Sequence, residues 1–373
     1  MVAVLLSLIS CKGEETKSNP ENDKSISQLS YASVLKLYNH PEGWWEAQIT
    51  NPWDTATLLQ SLALVPHTIN ITKLVLPDDL TLIRIPLKKT LVTSTVHVGI
   101  IEEFGKEDAI AGITDEDYIK STKIKAKLDN SEIFVCGSWM SPDIEKIIKL
   151  SPDAILLSPY QNGSNYGNIT ELGIPIIYVA DYMENTPLGR AEWLKYYGLL
   201  YGKEKLTDSI FKATEEKYFN LKNLCKKESD KKGKKKIIMD LPYSGTWQVP
   251  SGGSTNDYFI QDVSGINPFS SLSGNQFARI TPEKGFYDAQ DADVWIIRQN
   301  SIKTLSLKQL EKDFPFAPKF KAYQKGNVWA CNTNESHYFE DTPFHPEKIM
   351  EDLYRILYIQ DPPDSLNYFN RLK

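Results

Sequence analysis

The sequence predicts an α/β protein made of two doubly wound lobes, each with a central parallel sheet. One long rigid helix joins the lobes, and a β-rich extension precedes them. Short apolar strands alternate with short helices over residues 90–181, a pattern typical of βαβ units. A long stretch with apolar residues at helical spacing follows, and the strand–helix pattern then returns. With 373 residues, the chain has room for two such cores.

These patterns divide the chain into six segments. They are a lipoprotein signal segment at 1–11, a flexible tether at 12–30, a β-rich extension at 31–89, an N-lobe at 90–183, a connecting helix at 184–229 and a C-lobe at 230–373. The extension is rich in Thr, Val, Ile and aromatic residues between punctuating Pro and Asp, which predicts short antiparallel strands.

The first residues resemble a lipoprotein signal. An apolar run at 2–9 ends at Ser10 and Cys11. Such a run is the central part of a secretory signal, and a small residue before Cys is similar to the lipobox of bacterial lipoproteins. Cys11 would then carry lipid, and the polar residues after it would form the tether. The run is too short to span a bilayer. The alternative is a chance cysteine after an apolar N-terminus.

The charge pattern argues against nucleic acid as a partner. The chain has 42 Lys and Arg against 48 Asp and Glu, a net charge of −6, and no basic stripe stands out. One lysine-rich run, at 226–236, alternates with acids. We interpret it as a solvated linker, with contact to a membrane surface as the alternative.

Strands and helices can be placed within each lobe. The N-lobe strands are expected at TLVTST, DAIAGITD, EIFVCG, DAILLS and PIIYVA, with helices at VGIIEEFG, after Gly137 and at NITELG. In the connecting stretch, Gly198 and Gly202 mark a break, and the apolar spacing over 206–224 predicts one long helix. The C-lobe strands are KIIMDL, ADVWIIR and GNVWACN, with helices at STNDYFIQDVSG and HPEKIMEDLYRILY.

A sequence pattern that occurs twice relates the two lobes. A Ser-Pro pair at 141–142 and a Thr-Pro pair at 281–282 are each expected to cap and open a short helix. A buried strand that begins at Asp153 or Asp293 follows each helix. The offset is 140 residues at both points, which suggests lobes related by pseudo-twofold symmetry.

These features resemble the substrate-binding proteins of ABC importers for iron-siderophores, haem and cobalamin. Their first-lobe marker is a Gly, a loop, Glu-x-Ile, a Leu and Pro-Asp before a buried strand. The segment GSWMSPDIEKIIKLSPDAILLSP at 137–159 is similar to it. In the second lobe, SGTWQVPSGGSTNDYFIQDVSG at 244–265 and TPEKGFYDAQDADVWI at 281–296 resemble the family pattern. The resemblance covers residues 90–360.

The resemblance implies a ligand cleft between two lobes, an ABC permease and its ATPase as partners, and no catalysis. In the family, one exposed glutamate on each lobe docks against arginines of the permease. Glu145 matches the first position, and Glu283 is the candidate for the second. Ile144, Ile147 and Ile148 are expected to form the buried stripe of the first helix. The alternative is that both glutamates are ordinary surface carboxylates.

Residues that follow strands are the candidates for ligand contact, because ligands of doubly wound sheets lie outside the carboxyl ends of the strands. The predicted ligand-binding residues are His97, Asp117, Tyr118, Trp139, Tyr160, Tyr243, Trp247, Ser254, Phe277, Arg279 and Arg298. Aromatic walls suit a large flat ligand, and arginines suit an anionic one. Cobalamin-binding members of the family resemble this chain in carrying a pocket tryptophan, here Trp139, six residues before the glutamate. The alternatives are packing for the aromatics and surface salt bridges for the arginines.

Neither a metal cluster nor an enzyme is expected. The five histidines are scattered, and Cys136, Cys225 and Cys331 are widely spaced without a CxxC pair. Cys136 closes an apolar run at 133–136, so we expect a small buried side chain there. Axial ligation of haem or cobalt by His97 is the alternative to a structural role. The motifs GxSxG, GxxxxGK[ST], HExxH and GxGxxG are absent from the sequence. We interpret VPSGGSTND at 249–257 as a ligand contact or as a helix N-cap at Ser254.

The sequence therefore predicts a lipid-anchored, monomeric binding protein of the periplasm or cell envelope, with no cofactor of its own. It would capture a ferric siderophore or haem and deliver it to a permease. Two alternatives stay open: a cobalamin or corrinoid carrier of the same family, and a surface capture lipoprotein without a permease.

Overall fold

Two parallel sheets and a long helix organise the chain, as the sequence predicts. The structure is a computed structural model that describes residues 27–160 and 167–373. The signal segment, Cys11 and most of the predicted tether lie outside these residues. Within them, no helix is both long and apolar enough to cross a membrane.

The N-terminal extension is a four-stranded sheet in the order β1-β2-β3-β4. Its strands are β1 (Leu35–Asn39), β2 (Trp45–Thr50), β3 (Leu58–Pro66) and β4 (Thr81–Ile85). The first three pair antiparallel, but β4 pairs parallel to β3, so the prediction of antiparallel strands is wrong for β4. The physical reason is the long connection between β3 and β4, which includes a 3-10 turn at Ile71–Lys73 and allows a crossover where a hairpin would force antiparallel pairing.

The N-lobe is built on a five-stranded parallel sheet in the order β11-β10-β5-β6-β7. Its elements are β5 (Thr90–Val92), α1 (Thr95–Glu103), β6 (Ile110–Ile113), α2 (Thr122–Asp129), β7 (Phe134–Val135), β8 (Gly137–Ser138), β9 (Ser141–Pro142), α3 (Ile144–Leu150), β10 (Ala154–Leu157) and β11 (Ile176–Tyr178). Leu91 and Val92 belong to different apolar clusters, so the sheet is covered on both faces. The predicted helix NITELG is a 3-10 helix, Gly167–Leu172.

Three helices join the lobes: α4 (Pro187–Glu192), α5 (Leu194–Tyr201) and α6 (Glu204–Lys232). Gly202 ends α5 in the left-handed conformation, as its position predicts. Gly198 is not a break, because it lies inside α5, where a Cβ would be 2.1 Å from Thr207 of α6. The interpretation of 226–236 as a linker is wrong up to Lys232. The buried face of α6 continues through this run, with Ser229 buried, so the run stays helical.

The C-lobe sheet has the order β12-β15-β16-β17, in which only β17 is antiparallel. Its elements are β12 (Ile237–Met239), β13 (Trp247–Pro250), α7 (Thr255–Asp262), β14 (Phe277–Ile280), α8 (Pro282–Ala289), β15 (Val294–Gln299), α9 (Leu307–Asp313), α10 (Lys321–Gln324), β16 (Val328–Asn332), α11 (Tyr338–Asp341), α12 (Pro346–Tyr358) and β17 (Asn370–Arg371). Strands β13 and β14 form a separate hairpin. Ile237 and Ile238 face different apolar clusters, so this sheet is also covered on both faces.

Two buried glutamates of the connector hold the start of the extension. The carboxylate of Glu192 accepts hydrogen bonds from the backbone N–H groups of residues 30–32, at 2.7–3.0 Å. Glu184 accepts from the backbone N–H groups of Ser33 and Val34. The amide of Gln60 in β3 also pairs with the backbone of the edge strand β11. The extension is therefore fixed both to the connector and to the exposed edge of the N-lobe sheet.

Candidate ligand cleft and docking helices

The carboxyl ends of strands from both lobes meet at the beginning of the connector. Asp181 follows β11 of the N-lobe, and Tyr338 follows β16 of the C-lobe. Both lie near Arg190 of α4, and the charge of each raises the pKa of its guanidinium. Thr255 at the start of α7 donates a hydrogen bond to the carbonyl oxygen of Glu184, at 3.2 Å. We call residues 181–190 the cleft floor, because strand ends of both lobes converge on it.

Aromatic side chains form the N-lobe side of this cleft. Trp139, at the tip of the β8–β9 hairpin, is 43% exposed and meets Tyr160 edge-on, with ring centroids 5.8 Å apart. Asp115 orients the tip, since its carboxylate accepts a hydrogen bond from the backbone N–H of Trp139 at 2.8 Å. The hydroxyl group of Tyr182, at the cleft floor, donates a hydrogen bond to the carbonyl oxygen of Pro159. The structure thus brings the predicted Trp139 and Tyr160 together beside Tyr182.

Tyr182 is not among the predicted ligand residues, although it meets the criterion that selected them. Tyr182 follows β11 as Tyr160 follows β10, so its position after a strand was the available signal. The predicted Asp117 and Tyr118 are exposed, in the 3-10 turn Glu116–Tyr118 that follows β6. They lie beside Lys120, which contacts the C-lobe.

On the C-lobe, the predicted residues Tyr243, Phe277 and Arg279 are exposed. Tyr243 is 86% exposed in the turn before β13. Phe277 and Arg279 lie on the exposed face of β14, with the guanidinium carbon of Arg279 5.4 Å from the centre of the Phe277 ring. Gln276, next to Phe277, donates to the side chain of Asn185 at 3.1 Å. This bond fixes the start of β14 beside the cleft floor.

Three predicted ligand residues are buried, which contradicts a role in lining an open cleft. His97 lies inside α1, not in a loop, and is 1% exposed, with Nε2 3.6 Å from Oδ1 of Asp181. Trp247 is fully buried in β13 and donates to the carbonyl oxygen of Met239 at 3.1 Å. Ser254 is the buried N-cap of α7, accepting from the N–H of residue 257. Helix α1 begins so soon after β5 that position 97 turns inward.

Arg298 is also corrected, because its charge is already satisfied. Its Nε donates to Oδ1 of Asp240 at 3.0 Å, and its Nη2 pairs with Oδ2 of the same carboxylate. Its Nη1 donates to Asn256 at 3.2 Å. The charge of Asp240 helps raise the pKa of Arg298, although burial alone would lower it. Arg298 therefore braces the ends of the C-lobe strands and is not free to bind an anionic ligand.

The two predicted docking glutamates occupy equivalent places. Glu145 and Glu283 are each the second residue of a helix, α3 or α8, and both are exposed. The N-cap of α8 is Thr281, as predicted, but the N-cap of α3 is Asp143 and not Ser141. Residues 141–142 form strand β9 instead, because they pair with β8. The caps are thus 138 residues apart, the same offset as the two glutamates.

The prediction that Ile148 belongs to the buried stripe of α3 is wrong. Ile147 and Leu150 are buried, but Ile148 is 58% exposed, one turn after Glu145. The helix has only seven residues, so it covers a narrow strip of the sheet. In the C-lobe, Tyr287 is 79% exposed one turn after Glu283. Each of the two glutamates therefore has an exposed apolar neighbour on its own helix.

The lobes also contact each other directly, through α1 and α11. Gly99 allows the helices to approach closely, because a Cβ at this position would lie 3.3 Å from Cβ of Glu340. Lys120 donates to the carbonyl oxygens of Thr333 and Ser336, at 2.8 and 2.6 Å. The groove beside this contact, of about 340 Å³, is lined by several carboxylates and is unsuited to an anionic ligand.

An ion pair adds to this contact. His345 of the C-lobe lies 3.0 Å from the carboxylate of Glu103 in α1. Burial alone would lower the pKa of His345, but its hydrogen bonds to Glu103 and Glu347 raise it to about 9. The imidazolium is thus the stable form at neutral pH, and it links the two lobes.

The cysteines and acidic clusters do not form a metal site within the described residues. Cys136, Cys225 and Cys331 are free and buried, so the prediction that Cys136 is a small buried side chain is confirmed. Burial raises the pKa of each thiol, most strongly for Cys225, to about 12. These thiols are therefore poor nucleophiles and poor metal ligands in the folded protein.

The chain belongs to the periplasmic binding protein family, whose model matches residues 91–334. A similar protein is an uncharacterized lipoprotein of Methanocaldococcus jannaschii, 28% identical over 372 residues, covering 92% of this chain and 85% of that protein. The family and fold are those of binding proteins and not of enzymes.

Solved structures share the fold at low identity. A periplasmic binding protein from Veillonella parvula superposes with a TM-score of 0.59 and 13% identity, covering 84% of this chain and 98% of that one. A periplasmic heme binding protein from Pseudomonas aeruginosa gives 0.58 and 11%, covering 77% and 98%. These likenesses establish a shared fold.

Proposed function

We propose that the protein is the lipid-anchored substrate-binding protein of an ABC importer. It captures an iron chelate, a ferric siderophore or haem, between its lobes and delivers the chelate to a permease. The observation that carries this proposal is the equivalent placement of Glu145 and Glu283. Each is exposed at the second position of a short capped helix, one helix on each lobe. Two such carboxylates can engage two basic sites on a permease and set its register on the lobes.

The ligand class follows from the cleft. Trp139, Tyr160 and Tyr182 offer a wall of aromatic faces and edges, which suits a large planar or catecholate ligand. The related fold of the Pseudomonas aeruginosa heme binding protein supports the same class. A corrinoid is the second candidate, favoured by the exposed Trp139 at the hairpin tip.

The anchor is supported by sequence and by a relative. Cys11 follows an apolar run and a small residue, and the Methanocaldococcus jannaschii relative is named a lipoprotein. The extension leaves the connector at residues 30–34, so the proposed tether of 12–30 begins on this side of the molecule. The protein would therefore act at the outer surface of the importing membrane, as a monomer.

The first test is a titration of the purified full-length protein in mild detergent with haemin, ferric siderophores and cyanocobalamin. A ligand that binds the native state raises the melting temperature by mass action. Binding beside Trp139 should also quench tryptophan fluorescence. Saturable binding of one class of chelate supports the proposal and names the cargo. The absence of binding by every chelate in the panel would overturn it.

A further inference from the structure

Arg190 is a loosely paired cation at the cleft floor. Its side chain is 23% exposed, and its nearest carboxylate oxygen, Oδ2 of Asp181, is 3.9 Å from Nη2. That distance is too long for a hydrogen bond. Its Nε is buried and has no hydrogen-bond partner among the described residues. Burial lowers the pKa of Arg190, although the charge of Asp181 opposes this.

The carboxylate of Asp181 is shared between Arg190 and a second side chain. Its other carboxylate oxygen, Oδ1, lies 3.6 Å from Nε2 of the buried His97. One carboxylate therefore faces two nitrogen-bearing groups at distances beyond hydrogen bonding, and it satisfies neither fully. A guanidinium that is largely removed from water and incompletely paired is costly, and a second anion would reduce that cost.

The other cleft arginines differ from Arg190. The guanidinium of Arg298 already donates to Asp240 and Asn256, so it has no free pair of N–H groups for a ligand. Arg279 is exposed on the rim, where solvent screens its charge, and it lies over the ring of Phe277. Arg190 alone of these three combines partial burial, incomplete pairing and a position where both lobes meet.

We propose that Arg190 binds the ligand directly, gripping a pair of anionic oxygens of the chelate at the cleft floor. This inference rests on the proposed function and narrows its ligand class to anionic chelates. The oxygens can belong to a carboxylate, as in ferric citrate or the propionates of haem, or to a catecholate. A planar guanidinium fork matches such oxygen pairs in two parallel hydrogen bonds, which an ammonium cannot do.

The helix that carries Arg190 connects the ligand contact to both lobes. Arg190 belongs to helix α4 of the connector, which packs against α5, α6, α7 and α12. A ligand held there is anchored to the element that both lobes share. The aromatic wall adjoins this point, because Tyr182 directly follows Asp181. The charged end of the chelate would thus be fixed at the floor while its body contacts Trp139 and Tyr160.

The test compares Arg190→Gln, Arg190→Lys and Arg355→Gln with the wild-type full-length protein. The anionic probes are haemin, ferric citrate and a ferric tris-catecholate, and the uncharged probe is a ferric trihydroxamate. Loss of a bidentate charged contact should weaken binding of the anionic probe about 10- to 100-fold in Arg190→Gln. Arg190→Lys should retain part of the affinity. Arg355→Gln, the matched loss of one arginine outside the cleft, where it pairs with Glu351 on α12, should stay within about twofold.

The outcomes separate this inference from the proposed function. If the wild-type protein binds only the uncharged probe, the binding function stands and the role of Arg190 is overturned. Equal affinity of Arg190→Gln and wild type for an anionic probe overturns it as well. If the wild type binds no probe, the proposed function fails, and the inference fails with it. Melting curves check that each variant folds. If Arg190→Gln does not fold, the affinity of Arg190→Lys for the anionic probe is compared with that of the wild type.

Discussion

The two lobes repeat one framework. In each, an aspartate precedes the strand that follows the short helix, β10 or β15, and donates its N–H to the residue before the neighbouring parallel strand, β5 or β12. Asp153 donates to the carbonyl oxygen of Lys89 at 2.7 Å, and Asp293 donates to that of Lys236 at 2.8 Å. Each carboxylate also accepts the N–H of the same lysine, at 2.9 Å. This repeated pair of hydrogen bonds ties the strand that follows each short helix to its neighbour in the sheet.

The lobes differ in the residues that pack beneath the short helix and in the exposure of the hairpin tryptophan. In the N-lobe, the close contact under the docking helix comes from the sheet, where a Cβ on Gly112 would lie 2.6 Å from Leu150 of α3. In the C-lobe it comes from the helix itself, since a Cβ on Gly285 would lie 2.4 Å from Trp247. The tryptophan of the C-lobe hairpin is thus core, whereas Trp139 of the N-lobe hairpin is exposed. The position of the short helix is the same in the two lobes, but the exposure of the hairpin tryptophan is not.

The largest effect is expected when both docking positions are removed. In Glu145→Ala combined with Glu283→Ala, uptake of the bound chelate should fall about tenfold or more, because both charged contacts to the permease are lost. Ligand affinity should be unchanged, since neither side chain belongs to the cleft. Transport of radiolabelled iron by cells that carry the variant measures the first, and titration measures the second.

The matched control removes two exposed glutamates from other surfaces, Glu42→Ala and Glu216→Ala, and should leave uptake unchanged. Each single docking variant should fall between wild type and the double variant if the lobes contribute equally. Normal uptake by the double docking variant would favour a capture lipoprotein without a permease.

A smaller effect concerns the ion pair between the lobes. The pKa of His345 is raised above its ordinary value of 6.5 to about 9, so its stabilising contribution is complete below pH 6.5. That contribution is lost as pH rises through 9, and it amounts to no more than about 3 kcal/mol. Urea unfolding of the wild-type protein should therefore show lower stability at pH 9.5 than at pH 6.

Glu103→Gln should remove much of that pH dependence, because the carboxylate that the imidazolium faces across the lobes is gone. Glu347 and Asp341 of the C-lobe also face His345 and should sustain the remainder. The control Glu42→Gln should leave the pH profile as in the wild type. An identical profile for Glu103→Gln and wild type would show that this pair does not couple the lobes.

The smallest effect tests the equivalence of the docking helices. Asp143→Ala and Thr281→Ala each remove an N-cap and should each lower the free energy of unfolding by about 1 kcal/mol. Ser141→Ala should cost less than about 0.5 kcal/mol, because this residue does not cap α3. Denaturant midpoints measure all three. A loss at Ser141 as large as that at Asp143 would contradict the register of the two helices described above.

The sequence by itself determined the order of strands and helices and the family to which the chain belongs. Apolar periodicity is a local property, so strands such as β10 and the helix α6 could be placed without coordinates. Glu145 and Glu283 were identified from the resemblance to the family pattern, although Glu145 lies 8 residues before Asp153 and Glu283 lies 10 residues before Asp293. The burial of Cys136 followed from the apolar run that it closes.

Only the tertiary structure decided how these elements meet. The direction of β4, the cap of α3 and the burial of His97 and Trp247 depend on which surfaces pack together, and spacing along one segment does not carry that information. The grip of Glu184 and Glu192 on residues 30–34 joins positions about 150–160 apart in the chain. Arg190 looks like an ordinary helical arginine in the sequence. Its incomplete pairing arises because Asp181, its nearest carboxylate, also faces the distant residue His97 where the two lobes meet the connector.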